Sequence, residues 1–195
     1  MKYAICQVSV SPLRAEARDS SEMVSQILFG ERLIILEELE KWTKVQLAFD
    51  SYEGWVDPKQ ILTVSEAEYL ANSTDKFAIN PYNHAMECGL PMTLTIGAEV
   101  RSLRENKISI GPKCFEYFGV YTSGKKSKEQ LVEIAKAYLN VPYLWGGKSS
   151  FGIDCSGLTQ QVYKIGGYKI PRDAYEQAEM GEVLSFVEEA EPGDL

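Results

Sequence analysis

The sequence predicts a chain of several domains, in which small β modules come first and a helical segment follows. Residues 1–63 hold short runs of β-branched and aromatic residues separated by turn residues. Within this range Val45, Leu47 and Phe49 alternate with less apolar neighbours, which is typical of a half-buried strand. From residue 125 onward the apolar residues recur with the period of a helix. A length of 195 residues allows two or three small domains.

Composition narrows the functional classes. The chain is 45% hydrophobic and 25% charged, as in ordinary soluble globular proteins. Its net charge of −8 disfavours nucleic acid and anionic wall polymers, since such partners require clustered Lys and Arg. The sequence has neither a run of about 20 apolar residues that would span a bilayer nor a signal-peptide layout. We therefore expect a cytoplasmic monomer without a membrane partner, or a periplasmic protein if a leader was removed.

The β part divides into two predicted modules. Residues 1–63 form the first, in which the turn "DSYEG" leads to a last strand that starts at Trp55. Residues 64–124 form a second small β module, because "LPMTLTIGAEVRSL" and "KISIGPKCFEYFG" indicate strands with glycine breaks. The single histidine, His84, lies in this module within "NPYNHAMECG". An exposed loop histidine is expected there rather than a catalytic one, because no partner for it is evident.

Three helices are predicted in residues 125–195. The first starts with a capping box of Ser127 and Gln130 and is expected to end at Pro142. The second follows Asp154 and ends at a glycine pair, with these residues on its inward face: Leu158, Val162 and Ile165. The third starts at Asp173, which could form a capping box with Glu176, and stops at Gly181.

Cys155 has surroundings that suit a nucleophile. It follows the expected N-cap Asp154, so unpaired backbone N–H groups and the positive end of the helix dipole favour its thiolate. Its spacing from Leu158 and Val162 places the sulfur on the packing face of the helix. Glycines precede it, and they are expected to let the backbone approach a ligand closely; they are Gly146, Gly147 and Gly152. From these residues alone, an inert buried cysteine remains equally open. The four cysteines include no CxxC pair, which suits neither zinc nor a disulfide scaffold.

Two longer patterns resemble known families. The segment "SPLRAEARDSSEMVSQILFGERLIILEELEKWTKVQLAFDSYEGWV" is similar to a bacterial SH3-like domain in its Leu-Arg pair, its Gly-Glu, its W-x-K-V and its closing G-W-V. Residues 128–195 resemble the first half of the NlpC family of cell-wall cysteine peptidases. They contain, in order, Tyr-x-Trp-Gly-Gly, Asp-Cys-Ser-Gly, Arg-x-x-x-x-Gln and Gly-Asp-Leu. This resemblance implies a papain-like α+β domain from residue 125, of which the N-terminal helical part is present.

The resemblance also implies roles for individual residues. Cys155 would be the nucleophile, and the hydroxyl of Tyr143 would help to hold the oxyanion, although a packed aromatic side chain is the alternative. Asp154 and Ser156 would line the substrate groove, and Trp145 would form a wall of the cleft. Asp154 as a plain N-cap needs no substrate.

A further set of residues is implied to hold the free amino group of a substrate. In family members preceded by SH3-like domains, the aspartate of the Arg-Asp pair, here Arg172 and Asp173, holds an N-terminal ammonium. The capping box of Asp173 is the competing interpretation. A glutamate and a tyrosine from the SH3-like domain close that pocket in these relatives, and Glu16 and Tyr52 are the candidates here.

The family's general base is a histidine located after the Gly-Asp-Leu motif, at which this sequence stops. His84 matches that base neither by position nor by context. We therefore expect residues 1–195 alone to hydrolyse little, and we expect the helix face of Leu158 and Val162 to be an exposed apolar surface. The expected account is a chain cut short from a longer active enzyme.

The intact protein is thus expected to be a cysteine endopeptidase that needs no metal or cofactor. Its substrate would be a small muropeptide with a free N-terminal L-Ala, cut at the D-γ-glutamyl–diamino acid bond as in wall recycling. The alternatives are a non-catalytic module that binds wall peptides or proteins, and an amidase or acyltransferase on the same papain-like scaffold.

Overall fold

The computed structural model describes residues 1–71 and 75–194. Its first sheet has seven antiparallel strands in the spatial order β3-β2-β6-β5-β4-β1-β7. These strands are β1 (Lys2–Cys6), β2 (Val10–Arg14), β3 (Met23–Leu28), β4 (Arg32–Glu38), β5 (Thr43–Leu47), β6 (Glu53–Val56) and β7 (Ile61–Val64). A 3-10 turn, Pro58–Gln60, precedes β7, and helix α1 (Glu66–Leu70) follows it.

Alternation of apolar residues builds the first sheet as the sequence indicated. Val45 and Leu47 in β5 are buried, and they join a core that also contains Leu13, Leu33 and Val56. Two details differ from the prediction: Phe49 lies in the turn after β5, and the strand at Trp55 is followed by the further strand β7, which pairs with β1.

The second sheet has four antiparallel strands in the order β10-β9-β12-β11. They are β9 (Asn83–Glu87), β10 (Leu90–Leu94), β11 (Lys107–Ile110) and β12 (Lys113–Phe118), while a separate pair joins β8 (Lys76–Ala78) to β13 (Tyr121–Ser123). The two sheets share one core, in which Phe29 meets Phe115 edge to face with ring centroids 5.1 Å apart. His84 is exposed, as expected, but it lies in a strand and not in a loop.

The C-terminal segment contains α2 (Lys128–Lys136), α3 (Cys155–Ile165) and α4 (Ala174–Glu179), together with a short hairpin of β14 (Lys148–Ser149) and β15 (Gly152–Ile153) and a 3-10 turn, Val187–Glu189. The Ser127 capping box is present. The prediction that Pro142 ends α2 is wrong: the helix ends at Lys136, and a turn follows in which Asn140 adopts a left-handed φ of 67°. Among the residues that the structure describes, no helix combines the length and apolar character needed to cross a membrane.

The inward face of α3 is covered. Val162 and Ile165 are buried, and Leu158 packs against a core cluster that includes Phe77 and Ile96. The expectation that this helix face would be an exposed apolar surface is therefore wrong. Part of the cover comes from α2 and the turn after it, at Ile134 and Tyr138, and part from the remote residues Phe77 and Ile96. Local sequence carries no sign of the remote part.

A buried cluster of ions joins the three parts of the chain. Glu31, in the turn between β3 and β4, forms ion pairs with Lys148 at 2.9 Å and with Lys164 of α3. Lys164 also pairs with Glu99 at 2.8 Å, and Glu99 continues to Arg101. At most 3% of any of the four side chains Glu31, Glu99, Lys148 and Lys164 is accessible to solvent. The cluster thus connects the turn between β3 and β4, the segment between β10 and β11, and helix α3.

Neighbouring charges set the protonation of this cluster. Burial raises the pKa of Glu99, but the attraction of Lys164 and Arg101 outweighs it and brings the pKa down to about 2. Burial lowers the pKa of Lys164, while Glu31 and Glu99 raise it further than burial lowers it. Both groups are therefore charged at neutral pH. Separating the parts of the chain would leave one sign of charge without its partner in an apolar environment.

Replacing Lys164 with Met should lower the free energy of unfolding by about 3–5 kcal/mol, because Glu31 and Glu99 then remain buried without their shared cation. Chemical denaturation followed by circular dichroism measures this change. The matched control is Lys136→Met: the Lys136–Glu133 pair is exposed, with 57% and 70% of the side chains accessible, so about 0.5 kcal/mol or less is expected.

The same variants make a prediction about pH. Since the pKa of Glu99 is depressed from its ordinary 4.5 to about 2, its ionisation stabilises the native chain above pH 4.5 and this stabilisation is lost toward pH 2. The difference in free energy of unfolding between the native chain and Lys164→Met should therefore become smaller as the pH falls from 4.5 toward 2. An equal gap at pH 7 and pH 3 would contradict the role of the cluster.

Candidate active site

Cys155 is the first residue of α3, and its side chain is exposed. Asp154 precedes it in extended conformation and caps the helix, with its Oδ1 accepting the N–H of Gly157 at 2.6 Å. The prediction that the sulfur lies on the packing face is wrong: Cys155 is exposed, whereas Leu158 and Val162 of the same helix pack into the interior. The thiol thus combines an open approach with the positive end of a helix.

A buried hydrogen-bond cluster holds the start of α3 in place. Arg172 donates from Nη2 to Asp154 Oδ2 at 2.7 Å, from Nη1 to Ser156 Oγ at 2.8 Å and from Nε to Ser25 Oγ of the first sheet at 3.1 Å. Asp154 Oδ2 also accepts the N–H of Gly146 at 2.9 Å. Asp154, Ser156 and Arg172 are each at least nine-tenths buried. This geometry favours positioning of Cys155 as their role over the direct ligand contact expected from the resemblance.

Other atoms of the protein fill the space beside the three glycines that precede Cys155. A Cβ at Gly146, whose φ is +76°, would lie 2.1 Å from the carbonyl oxygen of Met23, and one at Gly147 would lie 2.4 Å from that of Gly152. One at Gly152 would meet the side chain of Leu144 at 2.6 Å. The expectation that these glycines admit a ligand is therefore corrected: they admit neighbouring protein atoms, which seat the loop on β3.

Tyr143 and Trp145 are exposed on the loop that precedes Cys155. The backbone of Tyr143 pairs with Ile153, two residues before Cys155, and 66% of Tyr143 is accessible to solvent. It is therefore not the packed aromatic side chain of the alternative interpretation. Trp145 is also mostly exposed, and its Nε1 donates to Glu22 Oε1 at 2.6 Å. The loop that carries Tyr143 and Trp145 thus contacts the residue directly before β3 of the first sheet.

Asp173 and Tyr52 lie together, although 121 positions separate them along the chain. The Tyr52 hydroxyl is 3.2 Å and 3.3 Å from the two carboxylate oxygens of Asp173. The predicted capping box with Glu176 is wrong, since Asp173 occupies the N-cap position of α4 without a side-chain cap. Burial, and then the charge of Asp173, raise the pKa of Tyr52, so its hydroxyl remains a proton donor.

Glu16 lies on the exposed loop between β2 and β3. Its carboxylate pairs with Arg18 at 3.0 Å on an exposed loop, and within residues 1–71 and 75–194 no polar contact joins it to Asp173 or Tyr52. Glu22, from the same loop, accepts a hydrogen bond from Trp145. The role of Glu16 toward a substrate stays a prediction.

Two residues to which the sequence analysis assigned no role support the site: Gln160, and Gln177 of the Arg-x-x-x-x-Gln motif. Gln177 donates to the carbonyl oxygens of Ser156 at 3.0 Å and Pro171 at 2.9 Å, which ties α4 to the start of α3. Gln160 donates to Asp50 at 2.7 Å, in the turn that carries Tyr52. In the part of the chain that the structure describes, no group of three or more His, Cys, Asp or Glu side chains has the arrangement of a metal site.

Comparison with known proteins matches both halves of the chain. Residues 13–61 match the SH3 domain of bacterial dipeptidyl-peptidases, and residues 140–195 match the NlpC/P60 family. The gamma-D-glutamyl-L-lysine dipeptidyl-peptidase of Bacillus subtilis (strain 168) is 27% identical over 188 residues, which are 88% of this chain and 62% of that protein. Dipeptidyl-peptidase 6 of Lysinibacillus sphaericus is 28% identical over 198 residues, 88% of this chain and 72% of the relative. The chain thus spans less than two thirds of the B. subtilis relative.

A solved structure shares the fold. The crystal structure of an NlpC/P60 family protein from Bacillus cereus superposes with a TM-score of 0.83 at 20% identity, and the match covers 98% of this chain and 81% of the other. The predicted fold class, an SH3-like β domain followed by the helical part of a peptidase-family domain, is confirmed. Residues 140–195 thus match the NlpC/P60 family, and residues 13–61 ahead of them match an SH3 domain of the bacterial dipeptidyl-peptidase type.

Proposed function

We propose that the intact protein is a cysteine endopeptidase that hydrolyses D-γ-glutamyl–diamino acid bonds in small peptidoglycan peptides with a free N-terminal L-Ala. The observation that carries this proposal is that the structure contains both an exposed thiol at a helix N-terminus and a Tyr52–Asp173 contact. That contact joins the SH3 segment, residues 13–61, to the NlpC/P60 segment, residues 140–195. The name of the B. subtilis relative, a gamma-D-glutamyl-L-lysine dipeptidyl-peptidase, supports this substrate class, and the name of the L. sphaericus relative supports a dipeptidyl-peptidase activity.

The thiolate of Cys155 attacks the γ-carbonyl carbon of the D-glutamyl residue. The backbone N–H of Cys155, which is unpaired at the start of the helix, and the hydroxyl of Tyr143 hold the oxyanion that forms. Collapse of this intermediate releases the diamino acid and leaves a thioester, which water then hydrolyses. Asp154, Ser156 and Arg172 keep the helix start in place, and their buried hydrogen bonds support this positioning role.

Asp173 receives the α-ammonium of the substrate's L-Ala, and Tyr52 orients its carboxylate. A carboxylate that accepts one hydrogen bond from a tyrosine still has lone pairs for an ammonium. Glu16 of the SH3 domain is the candidate second acidic residue for this ammonium, and its carboxylate pairs with Arg18 on the loop before β3. An acylated amino terminus has no positive charge for Asp173 to bind, and its acyl group is too large for the pocket. Longer wall strands are therefore excluded.

Proton transfer needs a base that these residues do not bring to the thiol. His84 is on the second sheet, opposite Thr93 and Phe118. Expulsion of the diamino acid requires a proton for its amine. We therefore propose that residues 1–195 by themselves bind the peptide but hydrolyse it slowly or not at all.

The first test is mass spectrometry of L-Ala-γ-D-Glu-diamino acid and its N-acetylated form. Each is incubated with the 195-residue chain and with any longer chain that the same reading frame encodes. Free diamino acid should appear from the unblocked peptide only, and Asp173→Asn should raise KM for it by about tenfold or more by removing the charge partner. Glu133→Gln, at an exposed position outside the site, is the control that should leave KM unchanged.

Calorimetry of the same peptides separates the rival functions. If no chain cuts either peptide but binding persists unchanged in Cys155→Ala, the protein is a non-catalytic wall-peptide module. Equal cleavage of free and acetylated peptides would contradict the amine pocket while leaving the peptidase assignment in place.

Tyr143→Phe should lower kcat by about 10²-fold with little change in KM, because the phenol acts only on the charge that develops in the transition state. Steady-state kinetics of diamino acid release measures this change. Tyr121→Phe, at another exposed tyrosine, is the matched control and should have wild-type kinetics. An unchanged kcat in Tyr143→Phe would remove Tyr143 from the oxyanion site.

A further inference from the structure

Gln160 of α3 is completely buried, and its amide group connects the two segments that meet in the Tyr52–Asp173 contact. Its Nε2 donates to Asp50 Oδ2 at 2.7 Å and to the carbonyl oxygen of Ile170 at 3.4 Å. These two acceptors define the orientation of the amide, because the reverse orientation would direct its oxygen at them. Its Oε1 has no hydrogen-bond partner in the described part of the chain, so this side chain acts through its donor group.

The first acceptor, Asp50, holds the backbone of the turn that carries Tyr52. Asp50 lies between β5 and β6, and its other oxygen, Oδ1, accepts the N–H of Tyr52 at 3.0 Å. Ser51, between these two residues, has a φ of 65°, which is uncommon for a residue with a side chain. A backbone of this kind persists where the surrounding contacts hold it. The carboxylate of Asp50 therefore connects Gln160 to the backbone of Tyr52.

The second acceptor leads to Asp173. Ile170 is buried and lies three residues before Asp173. This segment has a further anchor, because Gln177 donates to the carbonyl oxygen of Pro171 at 2.9 Å. In the described residues, by contrast, the turn of Tyr52 has no other hydrogen bond to α3. The amide donor thus matters more for the Tyr52 side of the contact than for the Asp173 side.

The same helix carries the thiol. Gln160 lies five residues after Cys155, which corresponds to about 7.5 Å along the axis of α3. The step also turns the two side chains about 140° apart around the axis, so that Cys155 is exposed while Gln160 is buried. The intervening residues are all helical. A group that is bonded to Gln160 therefore keeps a constant spacing from the start of the helix.

We propose that Gln160 is a positioning residue that fixes the distance between the amine site, at Tyr52 and Asp173, and the thiol of Cys155. This inference rests on the proposed function, in which Asp173 receives the α-ammonium of the substrate. With the distance fixed, only a peptide whose scissile carbonyl belongs to the second residue from a free amino terminus contacts both groups. Gln160 thereby determines the length of the fragment that carries the amino terminus.

The test is calorimetry with the 195-residue chain and three peptides. They are L-Ala-γ-D-Glu-diamino acid, its N-acetylated form, and the same peptide extended by one L-Ala at its amino end. The native chain should bind the first about 10²-fold more tightly than the other two. Gln160→Met keeps the length of the side chain and removes the donor, so it should reduce this preference to about tenfold or less.

Gln161 provides the matched control. It is the next residue of α3 and is equally buried, and neither polar atom of its amide has a hydrogen-bond partner in the described part of the chain. Gln161→Met should therefore leave the preference at its native value. An equal loss of preference in both variants would indicate a general loosening of the helix and would contradict a positioning role for Gln160.

Asp50→Asn tests the connection through the turn. The oxygen of the new amide still accepts the N–H of Tyr52, but its nitrogen then faces the donor of Gln160. The preference should fall as in Gln160→Met, and the double variant should lose no more, because both changes remove the same hydrogen bond. Additive losses would show that the two residues act separately. Asp50 is only half-buried, so its variant also serves if Gln160→Met does not fold.

The results separate this inference from the proposed function. If the native chain binds all three peptides equally, or binds none of them, the amine site is wrong and the role of Gln160 is wrong with it. A native preference that Gln160→Met and Asp50→Asn both retain would overturn the positioning role alone and leave the amine site in place.

Discussion

The ion pairs of Lys164 with Glu31 and Glu99 are the constraint on which the arrangement of the chain depends. The three groups come from α3, from the first sheet and from the segment before β11, and all are buried. Buried charges tolerate little displacement from their partners, because each loses its compensation when they move apart. The helix that carries Cys155 is therefore held at a definite position relative to the SH3 domain.

Contacts between the first sheet and helices α3 and α4 also set the geometry of the candidate active site. Arg172 connects the cap of α3 to Ser25 in the first sheet, and Tyr52 of the same sheet meets Asp173 at the start of α4. The SH3 domain therefore contributes hydrogen bonds to the surroundings of the thiol and is not a separate tethered module. The peptide site that we propose therefore lies where the two domains meet.

Much of the fold was predictable because its signals are local. Strand alternation around Val45, the Ser127 capping box and the Asp154 cap act within a few residues, so the sequence reports them directly. Local signals failed where a competing contact came from elsewhere. Asp173 has the sequence of a capping residue, yet its carboxylate is directed to the Tyr52 hydroxyl and not to the helix.

Of this protein, the sequence by itself determined the kinds of elements, their order, the family motifs and the location of the thiol at a helix start. Only the tertiary structure decided that Glu22 contacts Trp145, that Gly146 faces Met23 and that Arg172 connects the cap of α3 to Ser25. The physical reason is distance along the chain. Burial of charge and close packing are settled between remote segments, and residue pattern within one segment contains no record of its partner.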